Sequence, residues 1–512
     1  MTYYITTPIY YVNAEPHIGH AYTTIVADSL ARLHRLMGEE VRFQTGTDEH
    51  GDKILEAARL AGLPVKDFVN RVSGLFRQTW DELGISYDHY IRTTDPDHIR
   101  LVQAVLSRVY EAGDIYFGEY GGLYCRGCER FYLERELVDG RCPDHGVAPT
   151  FIKEENYFFR MSRYQDWLLG YIQDYPDWIR PERYRNEVLG FLREPLEDLC
   201  ISRPQRRLDW GIPLPFDERF VTYVWFDALI NYLTGLGYPD GANYPKFWPG
   251  VQHLIAKDIL KPHAIYWPTM LKAAGIEPFQ HLNVHGYWQM AQGKMSKSLG
   301  NVVEPRSLAA AYGVDQIRYF FLREMVFGLD AVFSEEALRS RINADLANDL
   351  GNLFARSLAM AFKYRKGAVP APGAPEALDR EIAGAARTMA DHFLRSFPAL
   401  EFPKALAALW DFVGSLNRYI VASAPWELAK QPQAATRLDT VLYHLLEGLR
   451  FIAALLRPVM PASALKMSEQ LGLGLTLWDH PLPQTLQWGG LLPGGPLKKG
   501  PPLFPRLEAE EG

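Results

Sequence analysis

Tyr3-Tyr4-Ile5-Thr6-Thr7-Pro8-Ile9-Tyr10-Tyr11-Val12-Asn13-Ala14-Glu15-Pro16-His17-Ile18-Gly19-His20 opens the chain, and its reading decides the fold. Tyr3–Thr6 is rich in β-formers and Pro8–Pro16 in turn residues. From Ile18, the residues Tyr22, Ile25, Val26, Leu30 and Leu33 recur on one helical face until Gly38 supplies a stop. A second short strand, Val41 to Thr45, leads into Thr47-Asp48-Glu49-His50-Gly51 and a helix from about Asp52. Strand, helix, strand, helix in this order marks a parallel sheet, because parallel strands need a crossover between them.

Working outward, the texture changes at about Asp114, where glycine, aromatic and cysteine residues replace the helical period as far as about Pro215; this stretch reads as a domain inserted into the sheet. The α/β pattern resumes with strands at Thr222-Tyr223-Val224-Trp225 and His253-Leu254-Ile255, a helix opened by Pro262, and a strand at Asn283-Val284-His285-Gly286. Beyond Ser334, a predicted N-cap, strand signals vanish. Leu338, Ile342, Leu346, Leu350, Leu353 and Phe354 repeat at helical spacing until Gly367, followed by a proline-rich linker from Val369 to Pro375. Further helical runs over about Leu378–Phe397, Pro403–Ser423, Leu438–Leu456 and Ala462–Leu471 predict an α-bundle, and Trp488 to Gly512, rich in Gly and Pro, is expected to wrap the surface.

With 512 residues and 47% hydrophobic content the chain can bury several cores. A net charge of −7 advertises no nucleic-acid partner in bulk, so any such partner must meet a local basic face. The start, Met1-Thr2-Tyr3-Tyr4, lacks a basic secretory leader and no apolar run is long enough to span a bilayer, which predicts a cytoplasmic protein without membrane contact. Four cysteines are too few for a disulfide scaffold. Cys125 and Cys128, then Cys142 and His145 after thirteen intervening residues, have the paired spacing of a closed tetrahedral zinc site, predicting one structural Zn²⁺ per chain; Cys200 stands outside it as packing.

Two further motifs carry the chemistry. His17-Ile18-Gly19-His20 puts two imidazoles at a helix N-terminus, whose N–H groups favour anions, and Gly19 removes the side chain that would block a ligand. Lys294-Met295-Ser296-Lys297-Ser298 between Gly293 and Gly300 is a charged, Gly-flanked segment able to close over a triphosphate. Together they predict an ATP-using enzyme that adenylates a small carboxylate.

These motifs, in order with Thr6-Thr7-Pro8-Ile9-Tyr10-Tyr11, Thr47-Asp48-Glu49-His50-Gly51, Tyr223-Val224-Trp225-Phe226-Asp227-Ala228 and Ala424-Pro425-Trp426, resemble the class I aminoacyl-tRNA synthetases, and within them the methionyl-tRNA synthetases. The resemblance runs over nearly the whole chain and implies two steps: methionine plus ATP gives methionyl-adenylate and pyrophosphate, then methionine passes to the 3′ end of tRNA(Met), initiator and elongator. Mg²⁺ would accompany the ATP. The implied architecture is a Rossmann-type catalytic domain in two halves, residues 1–113 and 222–292, split by a connective domain with a zinc knuckle at 114–221. A KMSKS and stem-contact region at 293–333, an α-helical anticodon-binding domain at 334–487 and a tail at 488–512 would follow.

Residue by residue, the resemblance gives catalysis to His17, His20, Lys294 and Lys297, and ATP contacts to these with Gly19, Asp258 and Ser298. The methionine pocket would be Ile9, Tyr11, Asp48, Trp225, Ala228, Leu229, Tyr232 and His285, with Asp48 facing the ammonium and the rings suiting a polarizable sulfur. Asn352, Arg356 and Trp426 would contact the anticodon. Ala256 stands where the family generally has Gly, a departure that bears on the nucleotide loop His253–Asp258. Synthetases for leucine, isoleucine or valine carry a large editing insertion for which 114–215 leaves no room. A small-molecule nucleotidylyltransferase would account for the histidine pair but not the lysine loop, and a zinc-dependent RNA-binding module only for the cysteines and Trp426. Because the sequence stops soon after Leu503-Phe504-Pro505-Arg506, the expected state is a monomer.

Overall fold

The computed structural model describes residues 2–125, 130–132, 134–143, 146–290, 303–474 and 480–508. They gather into two compact units, one of residues 2–24 with 42–285 and one of residues 25–41 with those from 286 onward.

The first unit is built on a six-stranded sheet of β1 (Thr2–Tyr11), β2 (Glu40–Asp48), β3 (His89–Arg92), β6 (Ile179–Arg180), β7 (Val251–Ala256) and β8 (His281–His285), in the order β3-β2-β1-β7-β8-β6. β2 runs parallel to β3, β1 to β7, and β7 to both its register partner β8 and, through it, β6. β1 is buried on both faces, as an interior strand of a parallel sheet must be, which explains its run of aromatic and β-branched residues on either side of Pro8. A second, antiparallel sheet pairs β4 (Ile115–Cys125) with β5 (Thr150–Phe159) from Ile115 opposite Phe159 to Tyr124 opposite Thr150, flanked by Arg130–Tyr132 and Leu199–Cys200. α1 (Ile18–Leu36) begins in this unit with its first turns, and α2 (Pro96–Glu111) and α3 (Val224–Ala228) lie wholly within it.

Three local expectations are corrected. β1 does not stop at Thr6 but continues to Tyr11 through Pro8, where the sequence suggested a turn. Its register with β7 ends at Thr6, so on that side no ladder bond is asked of the proline, which has no N–H to give. Tyr223-Val224-Trp225 is not a strand: the strand before it ends at Thr222 and Val224–Ala228 is a five-residue helix, too short for its period to show. Finally, β6 lies inside the stretch 114–221 yet joins the main sheet beside β8. It is two residues long, anchored by Trp178, whose indole N–H donates to the Phe279 carbonyl at 2.9 Å and whose own carbonyl accepts from Leu282 N at 2.7 Å.

In the second unit Ser334 caps its helix as predicted, its hydroxyl accepting from Ala337 N at 3.0 Å, and a π-wound stretch Ile342–Gly351 leads into α4 (Asn352–Arg365). α4 ends where Lys366 and Gly367 take positive φ. α5 (Ala377–Ser396), α6 (Phe402–Ser423), α7 (Pro425–Leu428) and α9 (Pro461–Gln470) surround α8 (Ala435–Leu456), with α4 also against it. α8 is buried on all sides from Thr440 to Leu456, so apolar residues surround it rather than forming one stripe, and its charged Glu447 and Arg450 are paired with each other. Among the described residues no helix is long and apolar enough to cross a membrane.

Candidate active site

Parallel strands bring their carboxyl ends to one edge, and open α/β sheets bind ligands there. β1 ends at Tyr11, β2 at Asp48, β7 runs into the turn carrying Asp258, and β8 ends at His285. The first two ends are joined by Val12 N donating to the Asp48 carbonyl at 3.1 Å. Asp48 and His285 are buried, Ile9, Tyr11 and Ala256 partly so, and Asp258 is exposed.

At the start of α1 the His17 and His20 rings stack with centroids 3.7 Å apart and 22° between planes. Backbone amides fix both tautomers: His17 N donates to His20 Nδ1 at 3.3 Å, and Gly19 N donates to His17 Nδ1 at 3.1 Å. Each Nδ1 is thereby an acceptor, which leaves the ring proton on Nε2 as a donor for an incoming oxyanion. Burial, and secondarily the neighbouring His17, push the His20 pKa well below the ordinary histidine value, so that ring is neutral at pH 7. Gly19 has a sharper role than clearance for a ligand: a Cβ there would stand 2.9 Å from His17 Cε1, so only glycine lets the His17 ring fold back onto its own helix turn.

The pocket residues proposed for methionine divide between two neighbourhoods. Trp225, Ala228, Leu229 and Tyr232 follow one another along α3 and the next turn, with Ala228, Leu229 and Tyr232 buried. The Tyr232 hydroxyl lies 2.8 Å from His263 Nε2, and its ring lies over His253 with centroids 4.1 Å apart. His263 Nδ1 donates to the Ile259 carbonyl at 2.9 Å, and burial lowers its pKa to about 4. The neutral ring therefore accepts a hydrogen bond from the Tyr232 hydroxyl. His253 is held likewise, 2.8 Å from Thr6 Oγ1 and accepting the Trp267 indole N–H at 3.2 Å, its pKa driven well down first by burial and then by His263. His285 instead meets α1: its Nε2 is 2.7 Å from Thr23 Oγ1 and its ring stands edge-on to Tyr22. Sequence reasoning missed His263 and His253 as partners of Tyr232, because a histidine inside an apolar run carries no spacing signal. The Tyr232 hydroxyl, which needs a partner once buried, is the clue that could have found them.

Lys294, Lys297 and Ser298 lie outside the described residues, as do Cys128 and His145. Cys125 and Cys142 are described: both are buried in one small cluster around Tyr132, with Cys142 Sγ donating to the Tyr132 hydroxyl at 3.3 Å. Two sulfurs converging at the end of β4 fit half of a tetrahedral thiolate and imidazole site, while among the described residues no three metal-binding side chains meet. In the second unit, Asn352 and Arg356 are exposed one turn apart on α4 and Trp426 is exposed on α7; α8 packs against both helices.

Comparison with known proteins places these features. A family model described as "tRNA synthetases class I (M)" matches residues 3–148 and 144–358, and one described as "Anticodon binding domain of methionyl tRNA ligase" matches 369–512. The chain is 48% identical over 514 residues to the methionine–tRNA ligase of Caldanaerobacter subterraneus subsp. tengcongensis, covering 100% of this chain and 80% of that protein. It is 49% identical to that of Deinococcus radiodurans, covering 99% and 74%. Among solved structures, methionyl-tRNA synthetase of Mycobacterium tuberculosis in complex with methionyl-adenylate superposes with a TM-score of 0.94 at 43% identity, covering 99% of this chain and 100% of that one. With matches of that extent lying over the histidine pair, the parallel sheet edge and the helical bundle alike, the chain belongs to the methionyl branch of the class I tRNA synthetases.

Proposed function

We propose that the protein is a methionine–tRNA ligase that activates L-methionine with ATP and transfers it to the 3′ end of tRNA(Met). The observation that carries this reading is the stacked histidine pair with both Nδ1 atoms occupied by amides, set at the helix start that follows β1, whose end is joined to that of β2 at Asp48 on the carboxyl edge of the parallel sheet. In the first step a methionine carboxylate oxygen bonds to the α-phosphorus and the bond to the bridging oxygen breaks, pyrophosphate leaving with that oxygen. Neither this step nor transfer to the tRNA hydroxyl needs a covalent enzyme intermediate, so the site works by placement and by stabilising charge. His17 and His20 donate through Nε2 to phosphate oxygens, Asp48 takes the methionine ammonium, and the aromatic wall from Trp225 to Tyr232 meets the thioether. His285 holds α1, through Thr23, against the end of β8. Asp258 is assigned to the ribose hydroxyls, and Lys294, Lys297 and Ser298 to the pyrophosphate side, with Mg²⁺ arriving on the ATP.

ATP–pyrophosphate exchange, run with each amino acid in turn, tests the reading: only methionine and close analogues should drive it. An apolar pocket rejects a near-isostere by only about 1–3 kcal/mol, so norleucine should be partly accepted. Lys297→Ala should lower methionine-dependent exchange; a wild-type rate sinks its assignment. A Zn²⁺ held by Cys125, Cys128, Cys142 and His145 would have no open position and would staple the connective strands; purified protein without close to one zinc per chain refutes it. The same reading takes the enzyme as a cytoplasmic monomer, which a sedimentation mass of twice 58.3 kDa would overturn.

A further inference from the structure

Asp227 sits in α3 between Trp225 and Ala228, fully buried, and both of its oxygens are engaged by imidazoles. Oδ2 accepts from His50 Nδ1 at 2.7 Å and Oδ1 from His98 Nε2 at 2.8 Å. His50 stands two residues beyond Asp48 on the chain leaving β2, and His98 belongs to α2, its Nδ1 3.0 Å from Thr234 Oγ1. On its far side the β2 exit is held by Trp210, whose indole N–H donates to the Glu49 carbonyl and whose ring faces His50 with centroids 5.6 Å apart. One carboxylate therefore joins the segment that presents Asp48, the helix that presents Trp225 and Ala228, and α2 behind them.

A buried carboxylate is a poor way to gain stability, because its desolvation offsets most of what its partners return and an apolar side chain would pack as well. Burial alone would raise its pKa; His50 and His98 outweigh burial and hold it below the ordinary carboxylate value. What the ionised group supplies that an apolar one cannot is a fixed direction for two imidazoles at once. We infer that Asp227 is a positioning residue of the amino-acid pocket, which through His50 sets where Asp48 stands relative to the Trp225 and Ala228 wall. The inference rests on the proposed activation of an amino acid.

The test is ATP–pyrophosphate exchange by the full chain carrying Asp227→Asn, which keeps shape but can satisfy only one imidazole as an acceptor. The KM for methionine should rise by about 10-fold or more while the KM for ATP stays within about twofold, since the nucleotide contacts are not on this strut. His50→Ala should give the same split, and the double variant should be no worse than the worse single one. Equal rises in both KM values, a fall in kcat alone, or unchanged constants in folded Asp227→Asn would overturn the inference. Should Asp227→Asn fail to fold, His50→Ala decides by the same split. Unmodified enzyme that activates methionine while the variants show no split sinks this inference alone; unmodified enzyme that does not activate methionine sinks the activity beneath it.

Discussion

Gly19→Ala should separate stability from activity in opposite directions. Gly19 is the second residue of α1 and its φ lies outside the left-handed region, so alanine suits the backbone and, by helix propensity, stabilises by a few tenths up to ~1 kcal/mol. The new methyl, however, would stand 2.9 Å from His17 Cε1 and 3.0 Å from Nδ1. The ring is a side chain and can swing away, so the clash is relieved cheaply, but swinging away breaks the 3.1 Å bond from Gly19 N and the stack on His20. The lost function is one hydrogen bond to a charged phosphate, worth about 1.5–3 kcal/mol, or roughly 10- to 100-fold in kcat/KM for ATP. Thermal melting and ATP–pyrophosphate exchange on the same preparation check both halves. An alanine variant exchanging at the wild-type rate would mean that the folded-back His17 ring has no part in catalysis. A variant that melts well below wild type would mean that the clash is not relieved by rotation.

Glu447→Ala should be severely destabilising, by about 3–5 kcal/mol in the second unit, because it leaves a buried guanidinium without its carboxylate, with only the Thr485 and Gln487 carbonyls as acceptors. Glu447 accepts from Arg450 at 2.6 and 2.9 Å and from the amides of Gly489, Gly490 and Leu491 at 2.7, 2.9 and 3.1 Å, so urea unfolding and proteolysis of the tail should both respond. Acid should weaken the first unit through His263: its folded pKa of about 4 lies below the unfolded value near 6.5, so the unfolded chain binds the proton first. That contribution, of order 3 kcal/mol, is complete above pH 6.5 and is lost as pH falls towards 4; melting temperatures of wild type and His263→Gln should converge over that window. Trp426→Ala should cost about 1–3 kcal/mol of tRNA binding if an unpaired base stacks there, and leave pyrophosphate exchange unchanged; equal loss of both activities would remove the role.

Much of the fold was legible because its signals are periodic and long. α1, the helices of the bundle and the cap at Ser334 each span enough residues for an apolar stripe or a capping side chain to show. What escaped was short or set by tertiary context. β6 is two residues whose pairing depends on Trp178 reaching Phe279, about a hundred positions away, and α3 ends before its helical period can repeat. Pro8 reads as a turn in isolation and as strand once β7 is known to stop pairing at Thr6. The site divides in the same way. Motif spacing singled out His17 and His20, and a predicted strand end singled out Asp48, but nothing in spacing could join Tyr232 to His263 or Asp227 to both His50 and His98.

His263, the unseen partner of Tyr232, shares with His20 and His253 a chemistry that bears on how the site handles charge. All three are kept below their ordinary pKa by burial, so these rings act as neutral hydrogen-bonding groups, and at the start of α1 His20 offers a directed N–H rather than fixed positive charge. A neutral donor strengthens its bond as charge develops on a phosphate oxygen without holding the ground-state triphosphate so tightly that the barrier is left unchanged. On the proposed reading, the positive charge that ATP and the departing pyrophosphate require is left to Lys294 and Lys297 and to the Mg²⁺ that would accompany the ATP. On this account replacing His20 by a residue of fixed charge is worse than removing it. His20→Lys should exchange pyrophosphate more slowly than His20→Asn, which keeps a neutral donor, and the reverse order would show that the site wants charge at that position.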